Sequence, residues 1–247
     1  MKDELLILEG IKKSFGDRVI LSDLSLTLER GCIYSLMGAN GSGKTTLFNV
    51  INGYLRAEKG SISFNGVMID KVNPAAICKL GISRSFQKIR IIRELTVKEN
   101  LLLAFKFNKG EKLWRALSPR RFWRDYYDEL NAEAKNIAER VLLSNVINRK
   151  AGEISYGQQK LLTLGCCIAN SPKLLLLDEP VAGINAVLRQ SISDLVKSLG
   201  VTVLLIEHHS EFVKLVSDRI LYLENGSLIQ YSSFQDLKAN LIRGNGI

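Results

Sequence analysis

Hydrophobic positions alternate with polar ones in the first part of the chain. Two such stretches, LLILEG from Leu5 and RVILSDLSLTLE from Arg18, predict half-buried strands. A third, SISFNGVMI from Ser61, contains Asn65-Gly66, a dipeptide typical of a two-residue hairpin turn. We therefore expect an antiparallel β subdomain near the beginning of the chain.

Unbroken apolar runs further along predict fully buried strands. CIYSLMG, KLLLLDE and VTVLLIEHH have this form, and the helical pattern AVLRQSISDLVKSLG separates the last two. Strands that alternate with helices are typical of an α/β fold with a parallel sheet. The stretch 88–167 has helical periodicity and few strand signals. We interpret it as a helical insert between two parts of an α/β core, 1–87 and 168–247.

The segment GANGSGKT fits the phosphate-loop pattern G-x-x-x-x-G-K-[ST] and lies between a predicted strand and a predicted helix. Glycines let backbone N–H groups approach phosphate oxygens. The Lys44 ammonium suits the terminal phosphates, and the Thr45 hydroxyl suits Mg²⁺. The residues expected to contact the nucleotide are Gly38, Asn40, Gly41, Ser42, Gly43, Lys44, Thr45 and Thr46.

Two acidic residues follow the apolar run LLLL. Asp178 and Glu179 come at the carboxyl end of this predicted strand, where α/β sheets bind their ligands. Asp178 can hold Mg²⁺ together with Thr45, and Glu179 can orient or deprotonate an attacking water. The pair thus predicts nucleotide hydrolysis.

Other polar residues follow predicted strands as well. SRSFQ ends in Gln87, whose amide suits a metal or a water, and LLIEHH ends in His208 and His209, one of which suits a terminal phosphate. Solvated turns have the same composition, so these residues do not decide the function by themselves. The chain has no guanine-reading N-K-x-D pattern, which favours ATP over GTP.

A second candidate anion site lies far along the chain, in EISYGQQKLL. Ser155 occupies the expected N-cap of a helix that continues as an apolar run. The start of a helix offers free N–H groups to anions. A simple capped core helix has the same pattern, so the motif alone leaves both interpretations open.

Seven segments then occur in a recognisable order: Phe15, GANGSGKT, Gln87, ISYGQQ, LLLLDEP, VAGIN and IEHH. This order resembles the ATP-binding-cassette (ABC) ATPases over essentially the whole chain. Within that family it is most similar to the ATPase subunits of branched-chain amino-acid importers. The resemblance implies a P-loop NTPase core with a mostly parallel sheet, an N-terminal antiparallel β subdomain and a helical subdomain that carries the signature motif. It also implies Mg²⁺-dependent ATP hydrolysis coupled to transport.

The resemblance also implies roles for individual residues. Phe15 is expected to stack on adenine, and Gln87 to link the metal site to a groove for a membrane partner. His208 is the expected switch histidine, which adds it to Lys44, Gln87 and Glu179 as a catalytic residue.

The signature loop of the family reaches the nucleotide of the opposite subunit. Ser155, Gly157 and Gln158 are therefore expected to contact ATP bound at the Lys44 of a second chain, and Asn185 to lie at the dimer interface. Two departures from the commoner motifs, Tyr156 for glycine and Asn185 for aspartate, recur in the amino-acid-importer branch. His209 occupies a position where the family frequently has an aspartate. We choose His208, by its register in the motif, as the histidine that faces the phosphate.

The net charge of +9 favours anionic partners without choosing among them. The basic segment KFNKGEKLWRALSPRRFWR, Lys106 to Arg124, contains both tryptophans. RNA or lipid headgroups suit such a segment, but we favour a solvated surface with aromatics packed inward. The four cysteines lack metal-ligand spacing, and Cys166 and Cys167 fall within an apolar helix pattern, as buried thiols do.

No signal peptide is evident, and no stretch approaches the roughly 18 apolar residues of a membrane helix. We therefore expect a peripheral protein at the cytoplasmic face of the cell membrane. Its expected partners are a second ATPase subunit, two transmembrane permease subunits and a solute-binding protein, without nucleic acid. The same motifs would serve an exporter of lipid or lipopolysaccharide, and a soluble nucleic-acid factor is the alternative from another class.

Overall fold

A computed structural model of the chain describes residues 3–87, 89–105 and 120–244. The basic aromatic segment lies outside these residues up to position 119. The chain divides into two compact units, the first formed by Met1–Arg84 with Lys173–Ile247 and the second by Ser85–Pro172. The second unit contains the stretch 88–167 and is slightly longer at both ends.

A six-stranded sheet forms the centre of the first unit, as far as the described residues show. Its strands are β3 (Ile33–Met37), β6 (Ile82–Arg84), β7 (Leu174–Asp178), β8 (Thr202–Ile206), β9 (Arg219–Glu224) and β10 (Ser227–Tyr231). They follow the spatial order β10-β9-β3-β8-β7-β6, and all neighbours are parallel except β10 and β9. The strands β3, β7 and β8 are almost entirely buried, which explains their unbroken apolar runs.

The register of this sheet brings three strand ends to one level. Asp178 pairs with Ile206, and Ile206 pairs with Leu36, so β7, β8 and β3 end side by side. Ligands of open α/β sheets bind at this carboxyl edge. The segments that follow the three strands therefore converge.

A second sheet in the first unit is antiparallel. Its described strands are β1 (Glu4–Phe15), β2 (Arg18–Glu29), β4 (Lys59–Phe64) and β5 (Val67–Met68), in the order β2-β1-β4-β5. Asn65 and Gly66 both have positive φ, as a type I′ turn requires, and join β4 to β5. The predicted hairpin and the antiparallel β subdomain are confirmed.

Some of the described helices belong to the first unit with the sheets, and others form the second unit. In chain order they are α1 (Lys44–Ile51), α2 (Pro74–Leu80), α3 (Val97–Ala104), α4 (Arg120–Arg140), α5 (Tyr156–Ile168), α6 (Ala186–Ser198), α7 (Ser210–Val216) and α8 (Phe234–Gly244). None of them has the length and apolar character that crossing a membrane requires.

The second unit is built from α3, α4 and α5. The α3 helix begins with a capping box, in which Thr96 and Glu99 each accept the other's backbone N–H. Gly165 faces α3, because a Cβ there would lie 3.0 Å from Leu101 Cδ2. A glycine at this position lets α5 approach α3 closely, which explains its place in an otherwise apolar helix.

Candidate functional site

The phosphate loop, residues 38–45, connects β3 to the first turn of α1. Gly38 has φ +146°, and a Cβ there would lie 2.4 Å from the carbonyl oxygen of Leu223. Gly43 has φ +110°, and its Cβ would lie 2.8 Å from Ile20 Cγ2. Both positions therefore require glycine for the loop to pack against its neighbours as well as for its backbone conformation.

Lys44, the first residue of α1, points back into the loop. Its Nζ donates to the carbonyl oxygens of Gly38 and Ala39, at 2.8 and 2.9 Å. Burial lowers the pKa of Lys44, while the charges of Glu179 and Asp178 raise it in part. The loop carbonyls thus hold a cation within reach of two carboxylates that are distant in sequence.

Hydrogen-bonding groups of the loop point to an oxygen-rich ligand. The Ser42 hydroxyl is buried and has no hydrogen-bond partner among the described residues. An unpaired buried hydroxyl is costly, and a phosphate oxygen would satisfy it. Thr45 is exposed in the first turn of α1, where backbone N–H groups lack partners within the helix.

Asp178, at the end of β7, is paired with a residue that sequence reasoning missed. Its Oδ2 lies 3.3 Å from the guanidinium of Arg84, and both side chains are almost fully buried. Arg84 also donates to Asn49 Oδ1 of α1 at 2.6 Å, and its guanidinium carbon lies 5.3 Å from the Phe48 ring centroid. Arg84 therefore connects the end of β7 to the helix that follows the phosphate loop.

Glu179 has a left-handed backbone, with φ +50°. Its N–H donates to the carbonyl oxygen of Ile206 at 3.0 Å, and its Oε1 lies 3.7 Å from His208 Nε2. His209 instead caps α7, where its Nδ1 accepts the N–H of Phe212 at 3.4 Å. Of the two histidines, His208 is the one that faces Glu179, while its role toward the phosphate stays a prediction.

Glu207 is a second residue that sequence reasoning missed. Its side chain is buried, and its two oxygens accept the backbone N–H groups of Val181, His208 and His209, at 3.0, 3.1 and 3.3 Å. The sequence signal was an acid directly between a predicted buried strand and two histidines. Its meaning depended on a contact with a distant loop.

Gln87 follows the strand β6, as expected, with Ser85 and Phe86 between the strand end and Gln87. The ladder of β6 with β7 stops where Arg84 pairs with Leu176, so Gln87 lies beyond the strand. Gln87 is exposed and belongs to the second unit. Its role as a metal or water ligand stays a prediction.

The signature segment begins α5 in the second unit. Ser155 Oγ accepts the Gln158 N–H at 3.3 Å, and Gln158 Oε1 accepts the Ser155 N–H at 3.0 Å. The predicted N-cap is confirmed, with Gln158 completing a capping box. Ser155 and Tyr156 are both exposed, so the start of this helix is open to solvent in a single chain.

Two further predicted positions lie on the surface of the first unit. Phe15 ends β1 and is 51% exposed, with Lys13 Nζ 5.5 Å from its ring centroid. Asn185 caps α6, since its Oδ1 accepts the N–H of Leu188 at 2.9 Å. A cleft of about 480 Å³ borders the phosphate loop, lined by Ala39–Ser42, the start of β2 and the β9–β10 turn.

The sequence profile of the family described as "ABC transporter" matches residues 21–182, more than half of the chain. This chain belongs to the ABC transporter family. The family resemblance read from the motifs is confirmed, as are the α/β fold class and ATP as the nucleotide that the family binds.

Relatives within the ABC transporter family carry similar names. The "Probable branched-chain amino acid transport ATP-binding protein LivG" of Methanocaldococcus jannaschii is 37% identical over 229 residues, 92% of this chain and 88% of that protein. The "High-affinity branched-chain amino acid transport ATP-binding protein LivG" of Salmonella typhimurium is 32% identical over 97% of this chain and 96% of that protein.

Solved structures agree with this assignment. A nucleotide-free ATP-binding cassette from an ABC transporter superimposes with a TM-score of 0.81 at 35% identity, covering 97% of this chain and 95% of that one. The ADP conformation of an ATP-binding cassette gives a TM-score of 0.80 at 34% identity, with the same coverage.

Proposed function

We propose that this chain is the ATP-hydrolysing subunit of an importer of branched-chain or other amino acids. The observation that carries the proposal is the convergence of three groups at one sheet edge. The strands β3 and β7, which lead to the phosphate loop with Lys44 and to Asp178 and Glu179, end at one level on either side of β8. The charges of both carboxylates also raise the pKa of Lys44 against the effect of burial. Phosphoryl transfer to water needs three groups: a cation that binds the phosphates, a carboxylate that binds Mg²⁺ and a carboxylate that orients the water.

The phosphate loop would bind the triphosphate. Lys44 would exchange its two carbonyl contacts for the terminal phosphates, and Ser42 Oγ would gain the partner that it lacks among the described residues. Backbone N–H groups from residue 38 to residue 46 would surround the phosphates, and Phe15 would stack on adenine. One helix-end interaction is worth about 0.3–2 kcal/mol, so binding needs these groups together.

The donor chemistry at the sheet edge fits Mg²⁺, which prefers carboxylate and hydroxyl oxygens and octahedral geometry completed by phosphates and water. Asp178, Thr45 and Gln87 are the residues that would hold the ion. When bound, Mg²⁺ neutralises charge that develops on the transferred phosphoryl group.

Glu179 would act on the attacking water. Its carboxylate follows the β7 strand end directly and would accept the proton of the water as the water oxygen attacks the γ-phosphorus. The bond from that phosphorus to the bridging oxygen would break at the same time, with ADP as the leaving group. His208, 3.7 Å from Glu179, would donate a hydrogen bond to the γ-phosphate and keep the carboxylate oriented. This gives the two side chains separate tasks on one phosphoryl group.

A second ATPase subunit would complete the site. Ser155, Gly157 and Gln158 lie at the start of a helix whose first residues, Ser155 and Tyr156, are exposed in the single chain. The three residues would contact the γ-phosphate held by the other subunit. Asn185 would lie at the same interface. Two copies, or one copy and a related ATPase, would then close around two ATP molecules and reopen after hydrolysis.

The names of the relatives favour import of branched-chain amino acids. The chain would dock at the cytoplasmic face of the membrane on two permease subunits. A solute-binding protein would deliver the amino acid to these subunits. The test is a gentle detergent pull-down from native membranes, identification of the partners, and reconstitution in vesicles. ATP-driven uptake of labelled leucine, isoleucine or valine is expected. Copurified export subunits would overturn the import assignment, and RNA-stimulated hydrolysis without membrane association would overturn the transporter assignment.

A further inference from the structure

Glu207 is a buried acid that the reaction scheme above does not use. It follows β8 directly and is 3% exposed. A buried carboxylate is stable only when hydrogen-bond donors surround it. Its position beside His208 makes the identity of those donors informative.

The donors come from two separate loops. Oε1 accepts the N–H of Val181, in the loop after β7. Oε2 accepts the N–H groups of His208 and His209, in the loop after β8. An ionised carboxylate only accepts hydrogen bonds, so its two oxygens match three converging N–H groups. The side chain thus joins the loop that carries Glu179 to the loop that carries His208.

The backbone of Glu179 needs such support. Its left-handed φ of +50° is unfavourable for a residue with a Cβ. The Ile206 carbonyl holds the N–H of Glu179, and the Glu207 carboxylate holds Val181 two residues later. Consecutive residues at the end of β8 therefore secure both sides of the strained residue.

We propose that Glu207 is a positioning residue that sets His208 and Glu179 in their catalytic arrangement. The proposal rests on the proposed function, in which these two residues act on one γ-phosphate. Glu207 touches neither water nor nucleotide in this scheme. It acts through the backbone of the two loops.

The test compares full-length Glu207→Gln, His208→Ala and the double variant, with exposed Glu4→Gln as the control. A glutamine presents an NH₂ donor where an N–H group now requires an acceptor. Displacement of catalytic groups by about 1 Å can cost roughly 100-fold in rate, so we expect kcat of Glu207→Gln to fall about 10- to 100-fold with KM for ATP within about twofold. The double variant should hydrolyse ATP no more slowly than His208→Ala, because Glu207 acts through His208 and its loss adds nothing once the imidazole is gone. The proposal would be overturned if the fold-losses in kcat of the two single variants multiply in the double variant. A wild-type kcat in Glu207→Gln would overturn it as well.

Amide hydrogen exchange supplies a readout that does not depend on hydrolysis. In Glu207→Gln the amides of Val181, His208 and His209 should exchange at least about tenfold faster, while those of Leu204 and Leu205 in β8 keep their protection. Unchanged exchange at the three amides would contradict the proposal. If Glu207→Gln does not fold, Glu207→Asp, which keeps the charge but shortens the reach, takes its place in both measurements. Loss of the proposed function would show separately, as absence of ATP hydrolysis by the wild-type chain.

Discussion

The imidazole of His208 faces the carboxylate of Glu179, with 3.7 Å between Nε2 and Oε1. The two residues follow neighbouring parallel strands, β8 and β7, whose ends lie at one level. His208 is 45% and Glu179 24% exposed, so water screens their attraction and the contact itself adds little stability. Its value lies in geometry, because it places a neutral or cationic donor beside the expected general base.

Substitution of the two histidines should separate their roles. His208→Ala should lower kcat about 100-fold or more and leave the free energy of unfolding almost unchanged, because it removes a partly exposed side chain that we propose as a donor to the γ-phosphate. His209→Ala should lower the free energy of unfolding by about 1 kcal/mol through loss of the α7 cap, with kcat within a fewfold of the wild-type value. Steady-state ATPase assays and urea unfolding measure both. The opposite pattern would show that His209 faces the phosphate.

Glu179→Gln should bind ATP and fail to hydrolyse it. The amide keeps the size of the side chain but cannot accept the proton of the attacking water, a change expected to cost about 100- to 10,000-fold in rate. ATP should then accumulate uncleaved, and the subunits should accumulate as a closed dimer in gel filtration. Glu133→Gln, an exposed change on α4, is the matched control. Hydrolysis at the wild-type rate by Glu179→Gln would remove Glu179 from its role.

The pKa of Lys44 should respond to the same substitution. Burial lowers this pKa and the charge of Glu179 is the largest effect that opposes it, so Glu179→Gln should lower it further. Titration of ¹³Cε-labelled lysine by NMR measures the change in the pKa of Lys44. The control Glu133→Gln should leave the pKa of Lys44 unchanged. A Lys44 pKa that rises or stays constant in Glu179→Gln would contradict the electrostatic contact.

The lowered pKa of Lys44 also determines whether its contribution to the free energy of unfolding rises or falls with pH. The folded chain releases this proton at a lower pH than the unfolded chain, whose lysines titrate near 10.4. The unfolded state therefore binds more protons within this window, and the free energy of unfolding gains a contribution that rises with pH up to about 10.4. Lys44→Met should remove that contribution, which urea unfolding at several alkaline pH values would detect.

Local patterns in the sequence predicted much of the site. The phosphate loop, the Ser155 cap and the Asn65-Gly66 turn depend on residues a few positions apart, and their signals are complete within one segment. Asp178 and Glu179 were found because a buried parallel strand has a recognisable end. These features follow from short-range backbone chemistry.

The missed contacts depend on strand register. Arg84 and Asp178 are 94 positions apart and meet because β6 lies next to β7. Glu207 reaches Val181, 26 positions away, only because β8 lies on the other side of β7. Sequence periodicity predicts that such strands exist but does not give their order, so these pairs could not be assigned.

The four cysteines should differ in reactivity. Burial raises the pKa of the Cys166 thiol to about 12, and Cys167 is buried, whereas Cys78 is exposed. At pH 8 a thiol with a pKa near 12 is ionised in about one molecule in ten thousand, and the thiolate is the reactive form. Iodoacetamide should modify Cys78 first in the native chain, as mass spectrometry would show. Fast modification of Cys166 would contradict its raised pKa.

Arg84→Met should weaken the fold more than an ordinary surface change. It removes the guanidinium that pairs with the buried carboxylate of Asp178, and breaking a buried ion pair in this way typically costs about 3–5 kcal/mol. Urea unfolding should therefore show a much lower midpoint for Arg84→Met than for Arg56→Met, whose arginine is exposed. Similar midpoints for the two variants would show that the pair contributes nothing.

A double-mutant cycle separates the ion pair from the other contacts of Arg84. If breaking the ion pair with Asp178 causes the loss, Asp178→Asn should restore part of the stability in the Arg84→Met background, although it destabilises the wild-type chain. If the contacts with Asn49 and Phe48 carry the effect, the two losses should simply add. We expect the first result, because a neutral amide at position 178 removes the buried charge. It would mean that the Arg84 guanidinium holds the Asp178 carboxylate in place within the first unit.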